Sequence, residues 1–388
     1  MKRIRNITFF LFILLSGCTF SNGVEPSPVA IGIQMIQSLS TSTANLATTQ
    51  ESQKSCNLSG GVLPVKSEGK IIFQVPDGTD KGLYFYDVQD GKKYIIPNTE
   101  GAFNPYIASS PDHEKIAFFD VKKENVGIIS ADGTTTELKT KGKIDGIFYG
   151  WQDNNNIIFV ERSHFDGSII TLDSNTGNVD ETTTGLHDLF SLGPNNWYAG
   201  GDQPSVVFDS TLSRMVYLSG ELPGESIGKW GFIMRDRNTQ NVLWSRPSAD
   251  LGTKPKWSPD NEYIAVAAGN KKIYIINKNG EEIKEIDTAD TRVTLIEWSP
   301  DGKKLSYVFF NYNEKLVVYD LASDQAQQYT VHQETGRIVW SPDSKQIATA
   351  GSLVDLTTNC VFTINADNQS EPNPLAWLVE SPQKSLFV

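Results

Sequence analysis

Trp298-Ser299-Pro300-Asp301-Gly302-Lys303-Lys304-Leu305-Ser306-Tyr307-Val308-Phe309-Phe310 is the stretch on which the fold turns. Its first four residues recur as Trp257-Ser258-Pro259-Asp260 and as Trp340-Ser341-Pro342-Asp343, and an earlier copy reads Ser109-Ser110-Pro111-Asp112. The prolines at 259, 300 and 342 stand 41 and 42 residues apart. Each copy is followed by a short polar step and then an apolar run. A period of that length is the mark of a repeat architecture, in which one supersecondary unit is stacked many times.

One unit reads outward from the quoted stretch. Ile296 to Trp298 is extended, Ser299 to Lys303 is a tight turn, and Leu305 to Phe310 is the next strand. A polar turn at Asn311 to Glu314 leads to a third strand, Leu316 to Tyr319. Asp320 to Asp324 turns again before a fourth strand over Gln327 to Val331. Proline presets φ for a turn, and Asp and Gly accept turn geometry. Branched and aromatic residues pack well on a pleated sheet. The apolar runs are too short, and too often broken by turn residues, to be helices. A lone four-stranded sheet cannot cover both of its faces, whereas radial stacking of such sheets buries them and shortens the exposed edges. A β-sandwich leaves the recurring phrase unexplained.

Weaker copies complete the count. They are Glu68 to Phe73, Pro111 to Phe118, Trp151 to Phe159, and Phe208 to Tyr217, the faintest. With the turns at Asn261, Gly302 and Ser344 this makes seven. The expected fold is all-β: a single β-propeller of seven blades, each of four antiparallel strands, or six blades if the first or fourth copy is incomplete. Equivalent positions Asn154 and Leu212 are 58 residues apart, so an insertion lies between them.

The pattern resembles the WD40-like PD-type repeats of the TolB propeller family, and those of the propeller domains of prolyl-oligopeptidase-type peptidases. The resemblance covers roughly residues 60 to 370 and is strongest at Trp257–Asp260, Trp298–Gly302 and Trp340–Asp343. It implies a place in an envelope protein complex but names no partner, since one scaffold hosts many unrelated sites. The peptidases add a hydrolase domain after the propeller. Only a short stretch separates the last blade from Val388, and no Gly-x-Ser-x-Gly elbow occurs, so that activity is not expected. TolB's separate α/β domain has no room here either.

Lys2, Arg3 and Arg5 precede an apolar run from Ile7 to Leu15, and Leu15-Ser16-Gly17-Cys18 follows. The run is short of the roughly 20 residues a membrane span needs. Basic, apolar and small segments in that order describe an export signal. Its end resembles the bacterial lipobox, which implies cleavage before Cys18 and lipid (palmitate) on that cysteine. The expected organisation is a lipoprotein signal at 1–17, a Ser/Thr/Asn/Gln-rich flexible tether at 18–57, the propeller at 58–370, and a tail or edge-capping segment at 371–388. Trp377-Leu378-Val379, or alternatively Leu58 to Val65, is the candidate for closing the ring. With Thr19 and Phe20 after the cysteine, a cell with two membranes would carry the chain on the periplasmic face of the outer membrane or on the cell surface.

The formal net charge is −12, from 46 acidic and 34 basic side chains, which argues against a nucleic-acid surface. Cysteines are sparse: Cys18, Cys56 and Cys360. A propeller brings the two ends of its repeat array together, and an exported compartment permits a Cys56–Cys360 disulfide. The four histidines, His113, His164, His187 and His332, have no metal-signature spacing. No metal site, cofactor or catalytic group is expected.

Asp112, Asp260, Asp301 and Asp343 follow Ser-Pro in their turns and are expected to hold those turns rather than gather at one centre. Trp257, Trp298 and Trp340 occupy one repeat position, so packing between blades is the default. The insertion offers Trp197, Tyr198, Trp230 and Trp244 as candidate binding-loop residues, or equally an elaborated fourth blade with Trp230 and Trp244 buried. The expected partner is an envelope protein or a glycan. The rival is a polysaccharide-acting enzyme resembling the oligogalacturonate-lyase propellers, which requires His164, His187 and carboxylates to converge.

Overall fold

The quoted stretch and its neighbours fold as an antiparallel meander of Val293–Trp298, Lys304–Phe309, Tyr312–Asp320 and Gln325–Thr330. In this computed structural model the described residues are 54–56 and, with gaps, 68–380; the longest gap is 184–205. The expected signal at 1–17, Cys18, nearly all of the expected tether and residues 381–388 lie outside them.

Six further sheets repeat the plan, giving an all-β propeller of seven blades. Blade two spans residues 102–138, blade three 147–183, blade four 206–247, blade five 256–287, blade six 293–330 and blade seven 339–363. Blade one takes Lys70–Gln74, Leu83–Asp87 and Lys93–Ile96 from the start of the array, and its innermost strand, Asn373–Leu378, from the end. Ile71 faces Trp377 and Lys70 faces Leu378 in that pairing. The ring therefore runs past residue 370: of the two alternatives for the last segment, a tail or an edge cap, Asn373–Leu378 takes the second as an inner strand that includes Trp377 and Leu378. Its apolar residues Leu375 to Leu378 are buried, which a tail would not provide.

The burial pattern explains the runs seen in the sequence. Leu305 to Phe309, on the second strand of blade six, are all buried because neighbouring blades cover both faces. The outermost strand of blade five, Glu282–Asp287, is mostly polar and half-exposed. Among the described residues the core divides into seven apolar clusters, and each bridges two neighbouring blades. One joins Ile273, Ile275 and Ile286 of blade five to Trp298, Tyr307 and Tyr319 of blade six. Another joins Ile71 and Trp377 of blade one to Leu353 and Phe362 of blade seven, so the circle has no open seam.

Blade seven carries a fifth strand. Lys54–Ser55 lies parallel to Cys360–Thr363 on its outer edge, and Cys56 N–H donates to the Val361 carbonyl at 3.3 Å. Cys56 and Cys360 are joined in a disulfide, with Cα atoms 5.6 Å apart across 304 residues of sequence.

The insertion is more local than the residue spacing suggests. Gly231–Asp236 and Val242–Pro247 are the third and fourth strands of blade four itself. The excess length falls mainly between Val179–Thr183, the last strand of blade three, and Val206–Phe208, the first of blade four.

Candidate functional site at the inner strands

The repeated Ser-Pro-Asp is a hydrogen-bonded turn. Ser258 Oγ donates to Asp260 Oδ1 at 2.6 Å and accepts from the Tyr263 N–H at 2.9 Å, while Asp260 Oδ1 accepts from the Glu262 N–H at 3.1 Å. The Ser–Asp contact recurs at 110/112, 299/301 and 341/343, at 2.5, 2.7 and 2.8 Å. Burial acts to raise the Asp301 and Asp343 carboxyls, but the serine hydroxyls and backbone donors hold them below the ordinary carboxylate range. Blade four inverts the pair: Asp209 stands in the serine position and Thr211 donates back to it at 2.8 Å. Each of these acidic groups closes its own turn.

The repeated tryptophans act across the seams. Trp298 Nε1 donates to the Lys256 carbonyl of the preceding blade at 2.8 Å, and Trp151 does the same to Ala108 at 3.0 Å. Trp340 reaches Ser306 Oγ at 2.9 Å, and that hydroxyl donates to the Glu297 carbonyl at 3.0 Å, so serine relays the same contact. Trp257 Nε1 is buried with no partner among the described residues.

The aromatic residues expected on binding loops divide. Trp244 is on strand Val242–Pro247, 7 % exposed, with Nε1 donating to Glu282 Oε1 at 2.9 Å. Arg246 forks onto the same carboxylate with two contacts of 2.7 Å, so Trp244 belongs to the seam between blades four and five and not to a loop. Trp230 is half-buried just before Gly231–Asp236, and its carbonyl accepts from the Ser248 N–H at 2.9 Å. Trp197 and Tyr198 lie outside the described residues, as do His164, His187 and His332. His113 sits at positive φ (58°) in the first turn of blade two, its Nδ1 3.2 Å from the Trp377 carbonyl. Burial holds its imidazole below the ordinary range.

A different constellation, which the motif search passed over, stands on the inner strands. Lys256 on Lys256–Trp257 of blade five forms an ion pair with Glu297 on the inner strand of blade six. Lys254, two residues earlier, holds its ammonium 5.1 Å from the ring centre of Tyr149, on the inner strand of blade three. Blade four stands between those blades, and the Tyr149 ring also packs edge-on against its Phe208, with ring centres 5.8 Å apart. Arg337 lies three residues before Trp340, as Lys254 lies three before Trp257. The two cations thus occupy one repeat position on blades seven and five.

Lys254 keeps some accessible surface, while protein crowds its amine. Burial foremost, then the Lys256 charge, brings that amine down to about 7, against the opposing pull of Glu297. Burial likewise lowers Arg337 and raises the Tyr149 hydroxyl to about 12, the latter accepting the Phe208 N–H at 2.8 Å. Only the recurrence of a cation three residues before the tryptophan was visible in the sequence. Among the described residues no three His, Cys, Asp or Glu side chains are gathered as a metal site requires.

The profile of the eukaryotic translation initiation factor eIF2A family matches residues 233–368, which holds the three clearest copies of the repeat. Among solved structures 1285 chains match, so the scaffold by itself selects no activity. One is a Bacteroides fragilis NCTC 9343 protein provisionally assigned as a 6-phosphogluconolactonase. It is similar at 14 % identity with a TM-score of 0.51, over 81 % of this chain and 99 % of that one. At that identity the likeness speaks for the fold alone.

Proposed function

We propose that this protein is a non-catalytic binding or scaffold module of the bacterial cell envelope, a TolB-like propeller held to its membrane by lipid on Cys18. The observation that carries this reading is the Cys56–Cys360 disulfide. Such bonds persist in exported, oxidising compartments and are rare in the cytosol. The bond also ties the segment nearest the proposed anchor to the outer edge of blade seven. The basic amino-terminal run and the Leu15-Ser16-Gly17-Cys18 sequence support the same route. The proposed partner is an envelope protein or a glycan, met at the periplasmic face of the outer membrane or at the cell surface.

The test is palmitate labelling with cell fractionation in the native host, followed by crosslinked capture from the envelope. Wild type is expected to label and to sediment with membranes, and Cys18→Ser to lose both properties. Recovery in the cytosol with Cys56 and Cys360 as free thiols would overturn the proposal.

One observation favours a second reading, a polysaccharide-acting enzyme. An amine brought down to about 7, as at Lys254, is about half in the form that accepts a proton at neutral pH. Turnover of a uronate-containing glycan by wild type, and its loss in Lys254→Met, would move the assignment to that class.

A further inference from the structure

We propose that the outer edge of blade seven is a strand-acceptor site. The chain's own residues 54–56 occupy it while the Cys56–Cys360 disulfide holds, and reduction of that bond opens it to an extended segment of a protein partner. This rests on the binding-module reading and names the surface and the kind of partner.

Neither the blade nor the ring requires the fifth strand. Blade seven already has the four strands of its neighbours, and the ring is closed in blade one, where Asn373–Leu378 pairs with Lys70–Gln74. What the strand covers is an edge unlike the others. Among the described outermost strands, six carry a charged or amide side chain, as at Lys93, Glu137, Asp180, Arg246, Glu282 and Gln325. Polar and charged residues of that kind discourage edge-to-edge pairing. The seventh, Cys360-Val361-Phe362-Thr363, carries none. Its outward N–H and C=O groups are a template for another strand. Lys54–Ser55 shows the direction and register accepted: parallel, with Lys54 opposite Cys360 and Ser55 opposite Val361. Recognition through a row of main-chain groups takes an extended peptide, since a glycan has no such backbone to pair.

The hold on the present occupant is chiefly covalent. Its strand is two residues long, with the Cys56 N–H to Val361 carbonyl contact just beyond. So short a pairing is marginal alone, and the disulfide keeps it in place by making it intramolecular. Cys56 is half-buried against the apolar cluster that contains Cys360. A dithiol releases it. One thiolate attacks a sulfur of the Cys56–Cys360 bond to give a mixed disulfide, which the second thiol then displaces. Two electrons and two protons pass to the protein, both cysteines become thiols, and the reductant becomes a disulfide.

The first measurement is hydrogen exchange of the full chain in detergent, with and without dithiothreitol. Residues 54–56 and Cys360–Thr363 are expected to exchange at least tenfold faster after reduction, while Lys70–Gln74 and Asn373–Leu378 keep their protection. The second uses full-length Cys56→Ser, checked for folding by circular dichroism, and a synthetic peptide of residues 50–59 in a glutathione buffer. A mixed disulfide with Cys360, located by peptide mapping, should form at least tenfold faster than with the same peptide carrying Ser55→Pro, which keeps the thiol but spoils strand pairing. Unchanged protection of residues 54–56 after reduction, loss of the blade-one protection along with it, or equal trapping of the two peptides overturns the proposal. If partner capture survives that result, the binding-module reading stands. If capture fails while the peptide is still trapped selectively, that reading falls alone.

Discussion

At the scale of single residues, three tryptophans at one repeat position are not equivalent. Trp298 and Trp340 donate across a seam, whereas the Trp257 indole N–H is buried without a partner among the described residues. Trp298→Phe is therefore expected to cost about 1 kcal/mol more than Trp257→Phe in denaturant unfolding, since only the former discards a made hydrogen bond. Asp355 offers a sharper case. It is fully buried, and its carboxylate accepts from Gln346 Nε2 at 2.9 Å and from the Thr357 and Thr358 N–H groups, both at 2.9 Å. Asp355→Ala strands those donors and should lower stability by about 3 kcal/mol. Lys254 runs the other way. Its folded-state amine sits at about 7, below its unfolded value, so the unfolded chain binds the extra proton between the two. Stability should rise as pH climbs from about 7 toward about 10. In Lys254→Met the thermal midpoint should be higher at pH 6, and that slope should flatten.

At the scale of elements, the turns carry more chemistry than the motif discloses. Asn261, at φ 59°, accepts the Ser210 N–H of the preceding blade at 2.8 Å, and Ser344, at φ 61°, accepts that of Asp301 at 3.1 Å. The residue that lets one turn close thus caps the turn next to it. A second set of carboxylates, Asp173, Asp236, Asp320 and Asp355, caps the turn after the third strand. Sequence reading did not single it out, because there the Asp lacks the flanking Ser-Pro that makes the first set conspicuous. Strand pairing hides a further constraint. Gly127 faces Phe118 across blade two, and a Cβ at 127 would stand 2.1 Å from that ring. Gly127→Ala should cost about 2 kcal/mol, as overpacking does. Ending the chain at Pro372 removes the inner strand of blade one and bares Ile71, Ile72 and Phe73. Soluble yield should collapse, and dye binding to apolar surface should report it.

At the scale of the molecule, stability is distributed over seven seams, and the ring depends on its last joint. The disulfide closes a loop of 304 residues beside that joint, and in the chain-entropy picture such a bond contributes about 5 kcal/mol. Cys56→Ser with Cys360→Ser should shift the unfolding midpoint in that direction, and intact mass should rise by two hydrogens when the wild type is reduced. Asp173, Asp236, Asp301, Asp320, Asp343 and Asp355 are all held below the ordinary carboxylate range. Their contribution is complete above about pH 4 and is lost as pH falls through the lowered folded values, so acid unfolding followed by circular dichroism should begin below that point.

The sequence by itself determined the repeat and the turn chemistry and favoured seven blades over six, and the seven sheets of the structure decided that count. The repeat and the turns rest on contacts within a few residues, such as Ser258 to Tyr263, and on the alternation of strands, which any stretch of chain displays locally. Only the tertiary structure decided between a tail and an inner strand for Asn373–Leu378 and between a loop and a seam for Trp244, and only it brought Lys254 of blade five over Tyr149 of blade three. Those outcomes join residues of different blades, and nothing in the chain between them records which side chains the closing of the ring brings together.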